Sequence, residues 1–269
     1  MRTLSLLLIL CFVTFACVGL WAQKGTSDDE IFDKVRLKLA SDPDVKGGGI
    51  DVSVKDGVVT LRGKVGKEKQ KSKAEHLTRK VKGVKSVVVS GGHINPEPLA
   101  ALIKVVDAIK IDLKAFNQDF YKNYVRGDLQ PVLEAIRLIA RSKIWLEIVY
   151  LVIPTLNDAP EETRKMSQWI QKEIGPDVPV HFTQFHPMYL IKNLPPTPVS
   201  TLEKLRKIAL QEGLHYVYMG NIPGHEGENT FCPKCRKILI QRNGFEIETN
   251  ALEGGKCPNC QNPVPGIWA

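Results

Sequence analysis

Apolar residues recur with helical spacing between residues 28 and 40 and predict an amphipathic helix. Three acidic residues open this helix, where they favour the positive end of its dipole. Its apolar positions are Ile31, Val35, Leu37 and Leu39. Alternating apolar residues on both sides of the Asp-Gly pair at 56–57 then predict a tight β-hairpin. A basic helix over 67–82 and a strand in VKSVVV complete the order α-β-β-α-β.

From residue 90 onward, short apolar runs alternate with helical patterns, which is typical of parallel β/α construction. The predicted strands cover 108–114, 145–153, 180–185 and 215–219, and the predicted helices cover 129–141, 160–173 and 201–211. Asp158 and Ser200 are expected near helix starts, and Gly213 at a helix end.

Polar residues and glycines follow several of these predicted strands. The carboxyl ends of parallel strands meet on one rim, where barrel enzymes place their active sites. The candidate rim residues are Ser90, Gly91, Gly92, Asp112, Lys114, Asn157, Asp158 and His186.

The composition is that of an ordinary globular protein, with 43% hydrophobic and 25% charged residues among 269 and room for two domains. The net charge is +8, and residues 24–89 hold 16 Lys and Arg against 10 Asp and Glu. This balance weakly favours anionic partners. No motif predicts nucleic-acid binding.

An uncharged apolar run from Leu4 to Leu20 follows Arg2 and precedes the small residue Ala22. This order predicts a secretory signal over residues 1–23. With 17 residues the run is also close to the length of an N-terminal membrane anchor. The chain is therefore expected to be exported, periplasmic or membrane-anchored.

Four cysteines form two CPxC turns that are separated by 21 residues. One CxxC turn presents two sulfurs to one ion, so two such turns complete a tetrahedral site for zinc or iron. The expected ligands are Cys232, Cys235, Cys257 and Cys260. Such a closed site is structural, and residues 229–269 are predicted to form a rubredoxin-like zinc ribbon. Two disulfides or four idle thiols are the alternatives, and an oxidising compartment would favour disulfides.

The α-β-β-α-β order, the hairpin pattern and the GVKSV sequence resemble the BON domain over about residues 28–89. BON domains are small modules of exported bacterial proteins associated with membrane surfaces, so the resemblance implies an envelope location. It also implies that basic residues of this part are candidate contacts to phospholipid head groups, where each lysine contributes up to about 1 kcal/mol near an anionic surface. These residues are Lys67, Lys69, Lys71, Lys73, Arg79, Lys80, Lys82 and Lys85. The alternative is a solvated helix face.

Residues 90–268 resemble the radical SAM enzyme of the AmmeMemoRadiSam system, which is akin to the pyruvate formate-lyase activating enzymes. The resemblance rests on the sequences INPEPL, IDLK, LQPVLEAI, LVIPTLND, FHPMY, LPPTPV and GNIPGHEGENTFCP. It implies a cytoplasmic enzyme that uses S-adenosylmethionine and a [4Fe-4S] cluster. It also implies that the S-adenosylmethionine-binding turn falls on Ser90, Gly91 and Gly92, without the family's Asn. By the same resemblance, Asp112, Lys114 and His186 would lie near the methionine carboxylate and amino groups. The alternative is that Asp112 and Lys114 pair with each other at a strand end and that His186 only holds a loop.

The three-cysteine CxxxCxxC motif that holds the cluster in radical SAM enzymes is absent from this sequence. Outside the ribbon the cysteines are Cys11 and Cys17, which lie in the apolar N-terminal run. The segment VKSVVVSGG is both the last strand of the small domain and the first strand of the barrel part, and one strand cannot fully serve both sheets. A half-barrel also leaves open edges that another chain can complete.

The expected fold class is therefore α/β, with a small αββαβ domain at 24–89, a partial (β/α) barrel at 90–228 and the ribbon at 229–269. The leading hypothesis is a radical SAM half fused to a BON module and inactive alone. One alternative is an envelope-binding BON protein with a passenger C-terminal region. Another is a split enzyme completed in trans by a chain that carries the missing half-barrel.

Overall fold

A computed structural model of the chain describes residues 27–45, 47–55, 57–63, 65–142 and 144–268. The predicted signal or anchor at 1–23 lies outside these ranges. Within them, none of the helices combines the length and apolar character that crossing a bilayer requires.

The small domain contains helix α1 (Asp28–Ser41), an antiparallel hairpin of β1 (Asp51–Lys55) and β2 (Val58–Arg62), and helix α2 (Glu68–Arg79). The Ser27 hydroxyl caps α1 by accepting a hydrogen bond from the amide of Glu30 at 3.2 Å. These elements confirm the predicted helices and hairpin, although α2 is shorter than expected. The buried core consists of Ile31, Val35, Leu39, Val45, Val52, Ala74 and Val81.

Of the four apolar positions predicted for α1, Leu37 does not join the core, because its side chain is 71% exposed. Leu37 lies two residues from both Val35 and Leu39, and residues two apart on a helix do not share a face.

Five parallel strands form the central sheet, in the order in which they occur along the chain. They are β3 (Val87–Ser90), β4 (Ala108–Asp112), β5 (Trp145–Val152), β6 (Val180–Gln184) and β7 (Val217–Gly220). Parallel crossovers are right-handed, so a sheet wound in one direction receives all of its helices on one face. This sequential order is that of a (β/α) barrel segment, whereas a doubly wound sheet reverses its strand order near the middle.

The helices of the sheet domain are α3 (Pro96–Ile103), α4 (Gln118–Phe120), α5 (Leu129–Ala140), α6 (Pro160–Glu173) and α7 (Val199–Gln211). The sequence patterns predicted the last three but not α3 and α4, which are short. A π-helical turn at Tyr121–Val125 follows α4 directly.

The cap assignments are only partly correct. Gly213 ends α7 with a φ of +93°, as expected. Ser200 is not the N-cap, because α7 begins at Val199 and Pro198 holds the cap position. Asp158 precedes the N-cap of α6, and its carboxylate instead accepts a hydrogen bond from the amide of Thr155 at 3.0 Å.

Alternate strand residues separate the two faces of the sheet. One set is buried under the helices and forms the largest core, for example Ile109, Ile148 and Phe182. The other set points to the face without helices, where Lys110, Glu147 and His181 lie. In a closed barrel this second face would be the interior.

The strand shared between the two domains joins the larger sheet. Residues 87–90 pair in parallel with β4, whereas the small domain keeps one isolated bridge between Val58 and Lys85. Val87 and Val89 are therefore 51% and 59% exposed on the face without helices. The expectation that one strand cannot serve both sheets is confirmed.

The C-terminal part is a three-stranded antiparallel sheet, ordered β10-β9-β8. Its strands are β8 (Thr230–Phe231), β9 (Ile238–Asn243) and β10 (Glu246–Asn250). Two of the four cysteines, Cys232 and Cys257, are buried in its small core beside Leu239.

Candidate metal centre and strand-end rim

The two CPxC turns have the same backbone geometry. The amide of Cys232 donates to the carbonyl of Lys237, and the amide of Cys257 donates to the carbonyl of Asn262, each at 2.9 Å. The residue after the second cysteine of each turn is left-handed, with φ of +62° at Arg236 and +56° at Gln261. The local sequence therefore folds each turn so that its two sulfurs face the same way.

The four thiols converge at one point between the turns. The sulfur of Cys232 lies 3.5 Å from that of Cys260, and the sulfur of Cys235 lies 3.6 Å from that of Cys257. All four sulfurs lie within 4.8 Å of one another, and the thiols are free. Tetrahedral zinc thiolates at about 2.3 Å would place their sulfurs about 3.8 Å apart. The donor set therefore fits a single metal ion such as zinc or iron.

The surroundings shift the pKa values of two of these thiols in opposite directions. A hydrogen bond from the Asn259 side chain lowers the pKa of the Cys235 thiol to about 6. At Cys260 the amide of Asn262 lowers the thiol pKa, but burial and the neighbouring thiols outweigh it and raise that pKa to about 12. A bound cation would supply the positive charge that lets all four sulfurs be thiolates.

The glycine turn after β3 is held by a local hydrogen bond. The amide of Gly92 donates to the Ser90 hydroxyl at 3.1 Å. Gly92 has a φ of +79°, and a Cβ there would lie 2.8 Å from a Val132 methyl carbon. Glycine is therefore required at Gly92 for both its backbone angle and its contact with α5. At Gly91 the space beyond the backbone is open.

The charged candidates on the next strand pair with each other. The Lys114 ammonium lies 2.9 Å from the Asp112 carboxylate at the carboxyl end of β4. His186 follows β6 and is exposed. Strand β5 separates β4 from β6, and neighbouring strands lie about 4.8 Å apart, so these two strand ends are about 10 Å apart. The rim thus joins Ser90–Gly92 with Asp112 and Lys114, while His186 lies farther along it.

Asn157, also expected on the rim, is buried, and both polar atoms of its side chain form hydrogen bonds with the backbone. Its side-chain oxygen accepts from the amide of Ile153 at 2.6 Å, and its side-chain nitrogen donates to the carbonyls of Lys114 and Leu151. It therefore positions the loop that follows β4 and has no free group for a ligand.

A second buried contact supports the same loop. The Tyr150 hydroxyl donates to the Glu162 carboxylate at 2.7 Å, and the amide of Phe116 donates to the same oxygen at 2.7 Å. Burial first, and then the Glu162 charge, raise the pKa of Tyr150 well above its usual value. The hydroxyl stays protonated, so it remains a donor that ties α6 to β5.

Sequence reasoning missed a polar network on the face without helices. The His181 ring lies 3.2 Å from the Glu147 carboxylate and stacks on the Tyr218 ring at 4.9 Å between centroids. Burial would raise the pKa of Glu147, but His181, Trp145 and Lys110 together hold it below its usual range. The His181 nitrogen is not aimed for a hydrogen bond at this distance, so the contact is an ion pair when the ring is protonated.

This network extends into the ribbon. The Tyr218 hydroxyl lies 3.1 Å from that of Thr230, which also accepts from the Arg242 guanidinium at 2.7 Å. The sequence predicted strands at the positions of β5, β6 and β7, but it did not indicate which of their residues pair across this face.

Comparison with known proteins finds a family match in the N-terminal part of the chain and a longer relative. Residues 27–90 match the family model of the BON domain, so this part of the chain is a BON domain. The chain is also 43% identical over 184 residues to the uncharacterized protein MJ0808 of Methanocaldococcus jannaschii. That alignment covers 68% of this chain and 54% of the relative, so the chain spans about half the length of its curated relative. Most of the 184 aligned residues lie outside residues 27–90, because the BON match is far shorter than this alignment.

Two solved structures are similar to the chain at 14% identity and a TM-score of 0.46. One is a domain of pyruvate-formate lyase-activating enzyme from Bacteroides vulgatus, for which the similarity covers 52% of this chain and 83% of that one. The other is a radical SAM methyltransferase from Sphaerobacter thermophilus, for which it covers 64% of this chain and 53% of that one.

Proposed function

We propose that residues 90–268 are the C-terminal part of an AmmeMemoRadiSam-type radical SAM protein, joined to a BON domain and inactive as a single chain. One observation carries this proposal: five parallel strands are wound in sequence order with helices on one face only. This is a barrel segment whose interior face is open. The sequence motifs from INPEPL to GNIPGHEGENTFCP support the assignment to this family.

The cysteine inventory is the reason for proposing inactivity. The sequence holds six cysteines, and four of them converge in the ribbon. Cys11 and Cys17 are too few to form CxxxCxxC, and their separation of six residues matches none of the spacings of that motif. The ribbon thiols fill a closed tetrahedral site for zinc or iron and leave no open coordination position for a substrate.

The rim would hold only the amino-acid part of S-adenosylmethionine. Ser90, Gly91 and Gly92 would contribute backbone groups, Asp112 would face the amino group, and Lys114 and His186 would face the carboxylate. In the absence of a ligand Asp112 and Lys114 neutralise each other, so binding has to break that ion pair. We expect a dissociation constant weaker than about 1 mM, or less than about 4 kcal/mol of binding free energy. Calorimetry that gives micromolar affinity, unchanged in Asp112→Ala, would refute this rim.

The test of the main proposal is anaerobic reconstitution of the full chain with iron and sulfide, followed by an assay for 5'-deoxyadenosine. We expect none above a no-protein control. A radical SAM enzyme with an intact CxxxCxxC motif, treated in parallel, shows that the assay works. Formation of 5'-deoxyadenosine by this chain alone would overturn the proposed inactivity.

A second candidate is a split enzyme that is completed in trans. The outermost strand β3 favours it, because the unpaired backbone of an edge strand invites another strand. Val87 and Val89 of this strand also expose apolar side chains on the face without helices. The partner would be a chain with the missing half-barrel and the CxxxCxxC motif. Adding such a chain should restore 5'-deoxyadenosine formation, and Val89→Lys should abolish that restoration.

A third candidate is binding of the BON domain to an anionic phospholipid surface. Exposed lysines on α2 favour it, although Lys73 is already paired with Asp42 and Asp44 and Lys71 with Glu68. Sedimentation with anionic vesicles should then fall at high salt and in Lys69→Gln. Equal sedimentation with neutral vesicles would leave α2 as a solvated face. The BON domain favours an envelope location, whereas the C-terminal resemblance favours the cytoplasm.

A further inference from the structure

Two arginines from different elements meet at one aromatic ring between the sheet and the ribbon. The guanidinium carbon of Arg206, on α7, lies 5.8 Å from the centroid of the Phe231 ring. That of Arg236, in the first cysteine turn, lies 5.6 Å from the same centroid. Among the described residues, neither guanidinium lies within 4.0 Å of a carboxylate oxygen. Two like charges therefore lie within 5.8 Å of one ring centroid, and no carboxylate of the described residues contacts either of them.

A small hollow lies beside these two arginines and Phe231. Besides the two arginines and Phe231, it is lined by Leu210, His215, Tyr216, Val217, Tyr218 and Asn229. Tyr216 is 4% exposed, and its buried hydroxyl has no hydrogen-bond partner within the described part of the chain. A buried hydroxyl without a partner costs free energy unless a ligand or water satisfies it.

The arginines themselves are well positioned to bind a ligand. The Nε of Arg206 donates to the carbonyl of Val217 at 2.8 Å, which fixes the guanidinium and leaves its two outer nitrogens for another acceptor. Burial first, and then the Arg236 charge, lower the pKa of Arg206. An anion placed between the two groups would relieve that repulsion.

Nearby acidic groups are occupied or out of reach. The Asp177 carboxylate lies 2.8 Å from the His215 ring. Glu226 acts on Arg206 only as a more distant charge that raises its pKa. Positive charge therefore dominates the hollow.

We propose that this hollow binds a phosphate-type anion between Arg206 and Arg236, with the Tyr216 hydroxyl as a further donor. Guanidinium groups bind phosphate through paired N–H donors, and they stack on aromatic rings while doing so. The ligand would be either free phosphate or a phosphate monoester such as a lipid head group. This site is separate from the rim and does not depend on the proposed radical SAM ancestry.

The test measures binding of inorganic phosphate to the full, metal-loaded chain by phosphorus NMR line broadening at constant ionic strength. Arg206→Gln and Arg236→Gln should each weaken binding by about tenfold or more, because each removes one charge-assisted donor pair. Lys204→Gln on α7 and Lys237→Gln in the cysteine turn are matched controls, since both side chains are exposed. We expect each control to change binding by less than about twofold.

The outcomes separate a built site from general positive charge. Equal weakening in the lysine controls, or unchanged binding in both arginine variants, would overturn the proposal. Arg236 is exposed, so Arg236→Gln keeps the test valid even if Arg206→Gln, which loses the bond to Val217, fails to fold. Sedimentation with phosphatidic acid vesicles that requires Arg236 would identify a lipid head group as the source. Phosphate binding without such sedimentation would identify free phosphate.

Discussion

In the ribbon, four thiols come from two turns of the same shape and meet within 4.8 Å. On the rim of the sheet, the candidate groups come from three strand ends, and two of them neutralise each other at 2.9 Å. The ribbon site is built by hydrogen bonds inside each turn, whereas the rim depends on how many strands surround it. A site that is built by hydrogen bonds within a local motif can therefore form in any fold that contains the motif. A site at strand ends also requires the neighbouring strands of its sheet.

The same contrast holds for stability. The sheet is covered by helices on one face, where Phe182 and Ile148 are fully buried. The opposite face carries exposed valines and a polar network. The protein therefore has one complete core layer in this region, and its other face has the composition of a barrel interior that is not enclosed.

The largest effect is expected from breaking the ribbon. Cys232→Ser removes one of four ligands and should abolish stoichiometric metal binding, which contributes folding free energy on the order of 10 kcal/mol in small sites. Elemental analysis of the folded, reduced protein measures this directly. Cys17→Ser is the control and should keep one metal ion per chain. A metal content near zero in the unmodified chain would remove the metal site.

A smaller effect is expected from the two faces of the sheet. Phe182→Ala should lower the free energy of unfolding by about 3–5 kcal/mol, because it leaves a cavity under the helices. Val89→Ser, on the exposed face, should change it by less than about 0.5 kcal/mol. Urea unfolding curves of the two variants test the comparison. Similar decreases in the free energy of unfolding of both variants would mean that the face with Val89 is also covered.

The smallest effect is expected from Glu147. Its pKa is lowered in the folded chain, so its stabilising contribution is complete above the usual value of 4.5 and is lost as the pH falls through the lowered pKa. The free energy of unfolding of Glu147→Gln should therefore approach that of the unmodified chain in acid and fall below it near neutral pH. A difference that is independent of pH would show that His181, Lys110 and Trp145 do not act on the Glu147 charge.

Much of the fold could be predicted because its signals are local. The CPxC spacing predicted that the ribbon thiols meet, and the strands from β4 to β7 were recognisable as short apolar runs between helical patterns. Helices α3 and α4 were missed because eight and three residues give too little periodicity to recognise.

The contacts that were missed join residues distant in sequence. Glu147 meets His181, and Arg206 meets Arg236, only through strand register and the docking of the ribbon. The choice of β3 between two sheets also depends on tertiary structure, since VVVS fits either sheet equally well. None of these features has a short-range pattern, so residue spacing alone could not indicate them.

We expect the four ribbon thiols to be the metal site of the described residues and the rim to hold no cluster. Anaerobic reconstitution with iron and sulfide, followed by iron and sulfide analysis, separates these sites when the unmodified chain is compared with the Cys232→Ser/Cys257→Ser double variant. We expect about one iron and no sulfide per unmodified chain, and no bound iron in the double variant. Iron and acid-labile sulfide that persist in the double variant would contradict the account.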